Sequence, residues 1–506
     1  MIAVNDTPVM DATYQLPNGT IYTKYDWTNY IVQDSVHGIM SENAGVWAIP
    51  VSHEYVNGGP MKQELTVHAT NKTPLVLQML QGEHLGAASQ VYGAADAKIY
   101  GPFFIYVNSG ASRQAMIEDA KKQVSVQQAQ WPFDWFSHVL YPTSRSTVTG
   151  RMKLPEGVSA DGIQVVLAKP GIDVYAQGKD YLFWSKTDST GAFTIDHVRK
   201  GSYTLYAWAT KGDITDECSV NNISVSDSVT NLTNIFWRPA RYENKLFQIG
   251  ESDRLSGGFR YSDTLRRYGL YDLPPADLNF TVGTSQPAKN WYYAQTKAGS
   301  WTITFNNDKT LSGNAYLTAS IAGCGNSPTV DVYVNGSKKT SWAFSNDGSV
   351  YRSAVLSGKH LTKSLTFPAS ALIKGTNTVK LTLSNPGNRG GVMYDCVKLE
   401  AGSLVTGLEE PHSDRADQFT VTNYPNPFAS ETTFQLVLGR EDRVVLEIFN
   451  LQGQLVETLH QGILSAGTHT FEWKPGNRAS GLYFYRVRLQ GKMATGKVLY
   501  VRNPAR

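Results

Sequence analysis

The chain has 506 residues, with 46 Lys and Arg against 43 Asp and Glu, a net charge of +3 and 18% charged residues overall. The basic residues are scattered, which argues against a nucleic-acid surface, and no run of apolar residues is long enough to span a membrane as a helix. The length calls for several cores, and 44 Gly with 11% aromatic residues suits an all-β, multidomain, turn-rich secreted protein.

Residues 1–143 read as part of a β-sandwich. Met1 to Tyr14 has neither a basic n-region nor an apolar h-region. Short apolar runs bounded by Gly and Pro follow, such as Gly45-Val46-Trp47-Ala48-Ile49-Pro50 and Phe103-Phe104-Ile105-Tyr106-Val107-Asn108, and these predict strands. Gly58, Gly59 and Gly101 are expected at turns with positive φ. One helix is predicted, capped by Ser112, carrying Glu118 and Lys122 at i,i+4, and stopped by Trp131-Pro132. Two stretches bring chemistry to this region. One is Tyr22-Thr23-Lys24-Tyr25-Asp26-Trp27 with Asp34-Ser35-Val36-His37-Gly38 after it, and the other is Gly82-Glu83-His84-Leu85-Gly86. Together they suggest a cleft bearing Lys, His and aromatic rings. His37 beside Gly38 is expected to line that cleft, and Tyr106 on a neighbouring strand to stack a sugar. His53 and His68 are expected to be structural.

Residues 144–237 show seven short strands at regular spacing, with turns such as Asp188-Ser189-Thr190-Gly191, and read as a fibronectin type III-like sandwich. Residues 238–401 carry Trp291-Tyr292-Tyr293, Trp301-Thr302-Ile303-Thr304-Phe305 and an Asn335-Gly336 hairpin signal, and read as a jelly roll like that of a carbohydrate-binding module. A polar linker is expected over 402–418, and a small β-sandwich over 419–506. Cys218, Cys324 and Cys396 form no C-x-x-C pair. At most one disulfide, Cys324 with Cys396, is open to them, and packed free thiols are expected. No acidic cluster has ligand spacing, so neither a metal nor another cofactor is expected.

The run from Asn423-Tyr424-Pro425-Asn426-Pro427-Phe428 to the strand Lys497-Val498-Leu499-Tyr500-Val501 resembles the C-terminal sorting domain of the type IX (Por) secretion system. That resemblance implies a protein secreted or held at the cell surface, with the secretion machinery as a partner. Lys24 in Thr-Lys-Tyr-Asp-Trp, His37-Gly38, Trp47-Ala48-Ile49-Pro50, Gly58-Gly59-Pro60, His84 before Gly86, and Tyr100-Gly101-Pro102 through Asn108 stand in one order. With the spacer and jelly roll after them, they resemble the rhamnogalacturonan lyases of polysaccharide lyase family 4. The resemblance implies a monomeric rhamnogalacturonan endolyase acting on pectin. It would cleave the rhamnose-α-1,4-galacturonate bond of rhamnogalacturonan I by β-elimination, leaving an unsaturated galacturonate. Lys24 would take the proton from C5 of galacturonate, and His84 would protonate the departing O4. The family's lyase domain begins well upstream of its catalytic lysine, so an N-terminally incomplete chain is expected.

Two other classes are open to such a sequence. A non-catalytic secreted pectin-binding protein would act through the jelly roll. A glycoside hydrolase needs two carboxyl groups across a cleft, and Glu54, Glu64 and Glu83 show no spacing that pairs them. Neither H-E-x-x-H nor G-x-S-x-G occurs.

Overall fold

In a computed structural model, the residues described are 7–10, 13–15, 17–19, 21–23, 25–27, 36–61, 63–65, 67–70, 73–76, 90–262, 270–350, 358–405, 419–424, 426–438, 440–465, 467–489 and 492–501. The chain divides into two compact units, Met1–Thr406 and Gly407–Arg506, and both are built of β-sheet.

The first unit opens with an antiparallel sheet of β1 (Thr7–Met10), β2 (Thr13–Gln15) and β3 (Ile21–Thr23). After β4 (Tyr25–Trp27) come β5 (His37–Met40) and β6 (Ala44–Pro50), which pair antiparallel. β7 (Gln63–Leu65) pairs with β4, and β8 (Val67–Thr70) pairs with β9 (Thr73–Val76). β10 (Phe103–Ser109) returns to β6, giving the order β10-β6-β5.

One face of that sheet is covered by the helix Arg113–Gln130. Ser112 Oγ accepts from the Ala115 amide at 3.1 Å, which satisfies one of the orphan donors of the first turn. Met116, Ala120 and Val124, four residues apart, are its buried side chains and meet Trp47, Ile49 and Phe133. The helix ends at Gln130, before Trp131-Pro132, as the steric demands of a proline on its predecessor require.

Seven strands follow: β11 (Arg145–Lys153), β12 (Gln164–Ala168), β13 (Phe183–Lys186), β14 (Ala192–Arg199), β15 (Gly201–Trp208), β16 (Glu217–Val225) and β17 (Val229–Phe236). Sheets β14-β11-β17 and β13-β12-β15-β16 enclose a core that includes Val148, Val165, Leu167, Phe193, Leu205 and Trp237. All five residues of β12 are buried, so both of its faces are covered. Val165 and Leu167 point into the sandwich. Val166 and Ala168 point the other way and join a cluster with Tyr55, Val56, Leu182, Trp184 and Trp208. The turn after β6 is thereby seated on the outside of the seven-stranded sandwich.

Next come β18 (Tyr242–Ile249), β19 (Leu278–Thr281), β20 (Ala294–Gln295), β21 (Gly299–Asn307), β22 (Asn314–Gly325), β23 (Thr329–Val334), β24 (Ser337–Ala343), β25 (Leu361–Pro368), β26 (Gly375–Ser384) and β27 (Gly391–Leu404). They form two five-stranded sheets, one running β19-β21-β26-β23-β24 and the other β18-β27-β22-β25 with β20 beside β27. Trp291 sits edge-on to Trp301 and Tyr394 in the core, with ring centroids 4.9 and 5.5 Å away. Asn335 (φ 48°) and Gly336 (φ 79°) close the β23–β24 hairpin in the left-handed region that a two-residue turn demands. Arg241 and Lys245 both reach Asp213, at 2.7 and 3.0 Å, and Arg254 reaches Glu217 at 2.7 Å while lying over Trp208. These contacts tie the two sandwiches together. Cys218, Cys324 and Cys396 are buried free thiols.

The second unit contains β28 (Phe419–Tyr424), β29 (Thr432–Leu438), β30 (Asp442–Phe449), β31 (Leu455–Leu464), β32 (Gly467–Trp473), β33 (Gly481–Leu489) and β34 (Lys492–Tyr500). Sheets β28-β29-β32 and β31-β30-β33-β34 bury Phe428, Phe434, Ile448, Trp473 and Val487. The expected linker falls, from residue 406 on, outside the described residues.

Candidate active site

Lys24 and His84, with Glu83, lie outside the described residues. His37 and Tyr106 lie within them. His37 begins β5 opposite Ala48, whereas Tyr106 stands on β10 opposite Trp47. Adjacent rows of a sheet point to opposite faces, so the structure does not bring these two side chains together. Tyr106 faces the helix, where its hydroxyl donates to Asp119 Oδ2 at 2.7 Å. Asn108 Nδ2 donates to the same oxygen at 2.9 Å, and Asn108 Oδ1 accepts from Trp47 Nε1 at 2.8 Å. The bonds from Asn108 and then Tyr106 hold the Asp119 carboxyl below its ordinary range, and the Tyr106 phenol is raised in return. This network fastens the helix to the sheet. His37 is buried on the other face, the one that carries the exposed side chains of Phe103, Ile105 and Val107.

A second constellation follows β6. Glu54, whose side chain is 3% exposed, accepts from Arg145 Nη1 at 2.6 Å and Nη2 at 3.3 Å, and from Arg199 Nη2 at 2.7 Å and Nε at 3.1 Å. Arg145 also donates to the Pro142 and His197 carbonyls, and Arg199 to the Leu140 carbonyl. The Arg199 guanidinium lies 3.3 Å from the Tyr181 ring centroid. A carboxylate engaged by two guanidinium groups through both oxygens is a fixed counter-ion, unsuited to proton transfer. That geometry removes Glu54 from any hydrolase pair and gives it a structural task instead.

Its neighbour His53 lies against Trp184, with ring centroids 4.0 Å apart and the planes tilted by 49°. Burial, opposed only by the Glu54 charge, lowers the His53 pKa to about 4, so the imidazole is neutral at physiological pH. Beside this pair opens a cavity of about 320 Å³ between the turn after β6, the end of the helix, and strands β13 and β14. Asp196 and His197 reach it through a β-bulge: Ser146 pairs with Val198 and Val148 with Ile195, so two residues of β14 oppose Thr147 alone. A signal for it stands in the sequence, because the buried positions Phe193, Ile195 and Val198 break a period of two. The Arg145 and Arg199 partners of Glu54 had no such local signal.

Three family models match this chain. Residues 157–231 match the model described as polysaccharide lyase family 4, domain II, and residues 245–399 match domain III of that family. Residues 422–501 match the secretion system C-terminal sorting domain, which marks the protein for the cell surface or the extracellular space. Among the described residues no helix is long and apolar enough to cross a membrane. A rhamnogalacturonate lyase of Dickeya dadantii is 35% identical over 400 residues, covering 77% of this chain and 66% of that protein. Rhamnogalacturonate lyase B of Emericella nidulans is 26% identical over 323 residues, covering 57% of this chain and 47% of that protein. The chain thus spans about two thirds and about half of the length of these two relatives. By these matches, and by the two sandwiches that carry them, the chain belongs to polysaccharide lyase family 4 and ends in a secretion-system sorting domain.

Proposed function

We propose that the protein is a rhamnogalacturonan endolyase, exported through type IX secretion, that cleaves the rhamnose-α-1,4-galacturonate bond of pectin by β-elimination. The observation that carries this reading is the 35% identity over 400 residues to a rhamnogalacturonate lyase. In this reading Lys24 acts as the base. Its neutral amine takes the proton from C5 of galacturonate, the electron pair forms the C4=C5 double bond, and the bond from C4 to O4 breaks. His84 gives a proton to the departing oxygen, which leaves on the rhamnose. A lysine can do this when burial or a nearby cation brings its pKa down toward neutrality. Near its unperturbed pKa of about 6.5, a histidine can supply the acid. His37, buried on the face away from the helix, is assigned in this reading to the lining of the substrate cleft.

The test is the ultraviolet absorbance of the unsaturated uronate released from rhamnogalacturonan I by the intact chain and by Lys24→Ala and His84→Ala. Each variant is expected to lose about 10²–10⁴-fold in kcat/KM, the usual contribution of a positioned acid or base. Equal rates from all three proteins would sink the assignment.

A further inference from the structure

None of the described residues lining the cavity beside Glu54 has a part in the elimination proposed above, yet the cavity is furnished for a ligand. We propose that it is a carbohydrate subsite that holds one neutral sugar unit of the polysaccharide. The inference rests on the polysaccharide reading above and adds to it where, and to what kind of sugar, the chain holds on.

Four observations carry it. Its volume of about 320 Å³ lies at the small end of the ~300–1,000 Å³ range of ligand pockets. Trp131 and His53, the latter tilted against the buried Trp184, put ring surface into its wall of the kind that packs on the C–H face of a pyranose. A hydrogen-bonding group at the wall is unengaged: the His53 ring has no hydrogen bond among the described residues. Finally, the bulge in β14 re-aims Asp196 and His197 at the rim. Thr147 Oγ1 pins Asp196 through Oδ1 at 2.9 Å, and His197 is held at φ 58°, a conformation that costs a non-glycine residue energy.

Charge chooses the class of sugar. Among the described residues no lysine or arginine lines the cavity, and the two nearby guanidinium groups are engaged by Glu54. Asp196 adds a negative charge at the rim. A uronate would meet repulsion, whereas the hydroxyl groups of a neutral sugar can donate to Asp196 and bond to the His53 ring. Both classes occur in pectin, so the site would favour neutral sugars over galacturonate.

Calorimetric titration of the intact chain with β-1,4-linked galactose oligosaccharides, and separately with galacturonate oligosaccharides, tests this. Saturable binding of the neutral series is expected, with the uronate series weaker by tenfold or more. Asp196→Ala and His197→Gly alter the exposed rim, and His197→Gly relieves the strained φ, so both should remain folded by thermal unfolding. Each is expected to weaken neutral-sugar binding about tenfold, the equivalent of ~1.4 kcal/mol. Failure of the neutral series to bind, equal or tighter binding of the uronate series, or unaltered binding by both variants would overturn the proposal. Calorimetry needs no turnover. Binding without release of unsaturated product would count against the lyase reading alone, and release without binding against this one alone.

Discussion

Replacing Glu54 by Gln removes the one negative charge between two guanidinium groups whose side chains are only 4% and 11% exposed. Breaking a buried ion pair by deleting one partner costs ~3–5 kcal/mol, because the remaining charge stays in a poorly solvated place. The value here belongs at the low end, ~3 kcal/mol, since the glutamine oxygen can still accept one bond and both arginines keep backbone carbonyl partners. The loss should be local. The Leu182 amide donates to the Glu54 carbonyl at 2.9 Å, and the Gly58 amide to the Gln177 carbonyl at 3.1 Å, and both bonds cross the seam that Glu54 holds shut. Hydrogen exchange of the intact chain reads such an opening directly, whereas a single unfolding free energy is ill-defined for a chain of several domains. A loss of ~3 kcal/mol predicts roughly hundredfold faster exchange at Leu182 and Gly58. Val165 and Leu205, inside the sandwich core, should be unaffected. Asp161→Asn is the control, since its pair with Lys211 is short, 2.6 Å, but exposed, and such pairs contribute less than about 1 kcal/mol. Acceleration below tenfold at the seam, or an equal change in the core, would refute this account of the clamp.

Two further predictions concern the rest of the fold. Burial, and next the facing Asp395 carboxyl, push the Asp253 carboxyl up to about 8. A carboxyl raised in this way favours the folded state most at pH values below its unfolded pKa of about 4, and that advantage is lost as pH rises through about 8. Asp253→Asn removes the ionisation, so its melting temperature relative to the unaltered chain should climb between pH 5 and pH 9, and a flat difference would count against the buried pair. Ser112→Ala should cost the helix Arg113–Gln130 about 1 kcal/mol, visible as faster exchange in its first turn. Ser112→Asn should restore the protection.

What could be read in the sequence follows the range of the interaction. The helix was legible because its cap, Ser112, and its stop, Trp131-Pro132, are local signals, and the β23–β24 hairpin because Asn335-Gly336 can adopt two left-handed residues in a row. The exposed and buried sides of Tyr106 and His37 were not, since they depend on the register of β5 and β10 against β6. Glu54 looked like a carboxylate without a partner because Arg145 and Arg199 stand 91 and 145 residues away and meet it only when β12 gains its outer cover. The same distance hid the buried group in which Ser320 Oγ contacts both Asp395 and His360 while the Asp253 amide donates to Asp395. His53 reads as structural in one dimension. In three it lines a cavity, because a bulge marked only by the broken alternation of Phe193, Ile195 and Val198 brings Asp196 and His197 to the same wall.

The central claim is that the protein eliminates rather than hydrolyses. Mass spectrometry of the oligosaccharides released from rhamnogalacturonan I decides it directly. Elimination leaves each new galacturonate end lighter by one water than hydrolysis would, and the Lys24→Ala chain should release such ends at least about a hundredfold more slowly. New ends carrying the full complement of water, or unsaturated ends formed equally well without Lys24, would contradict the account.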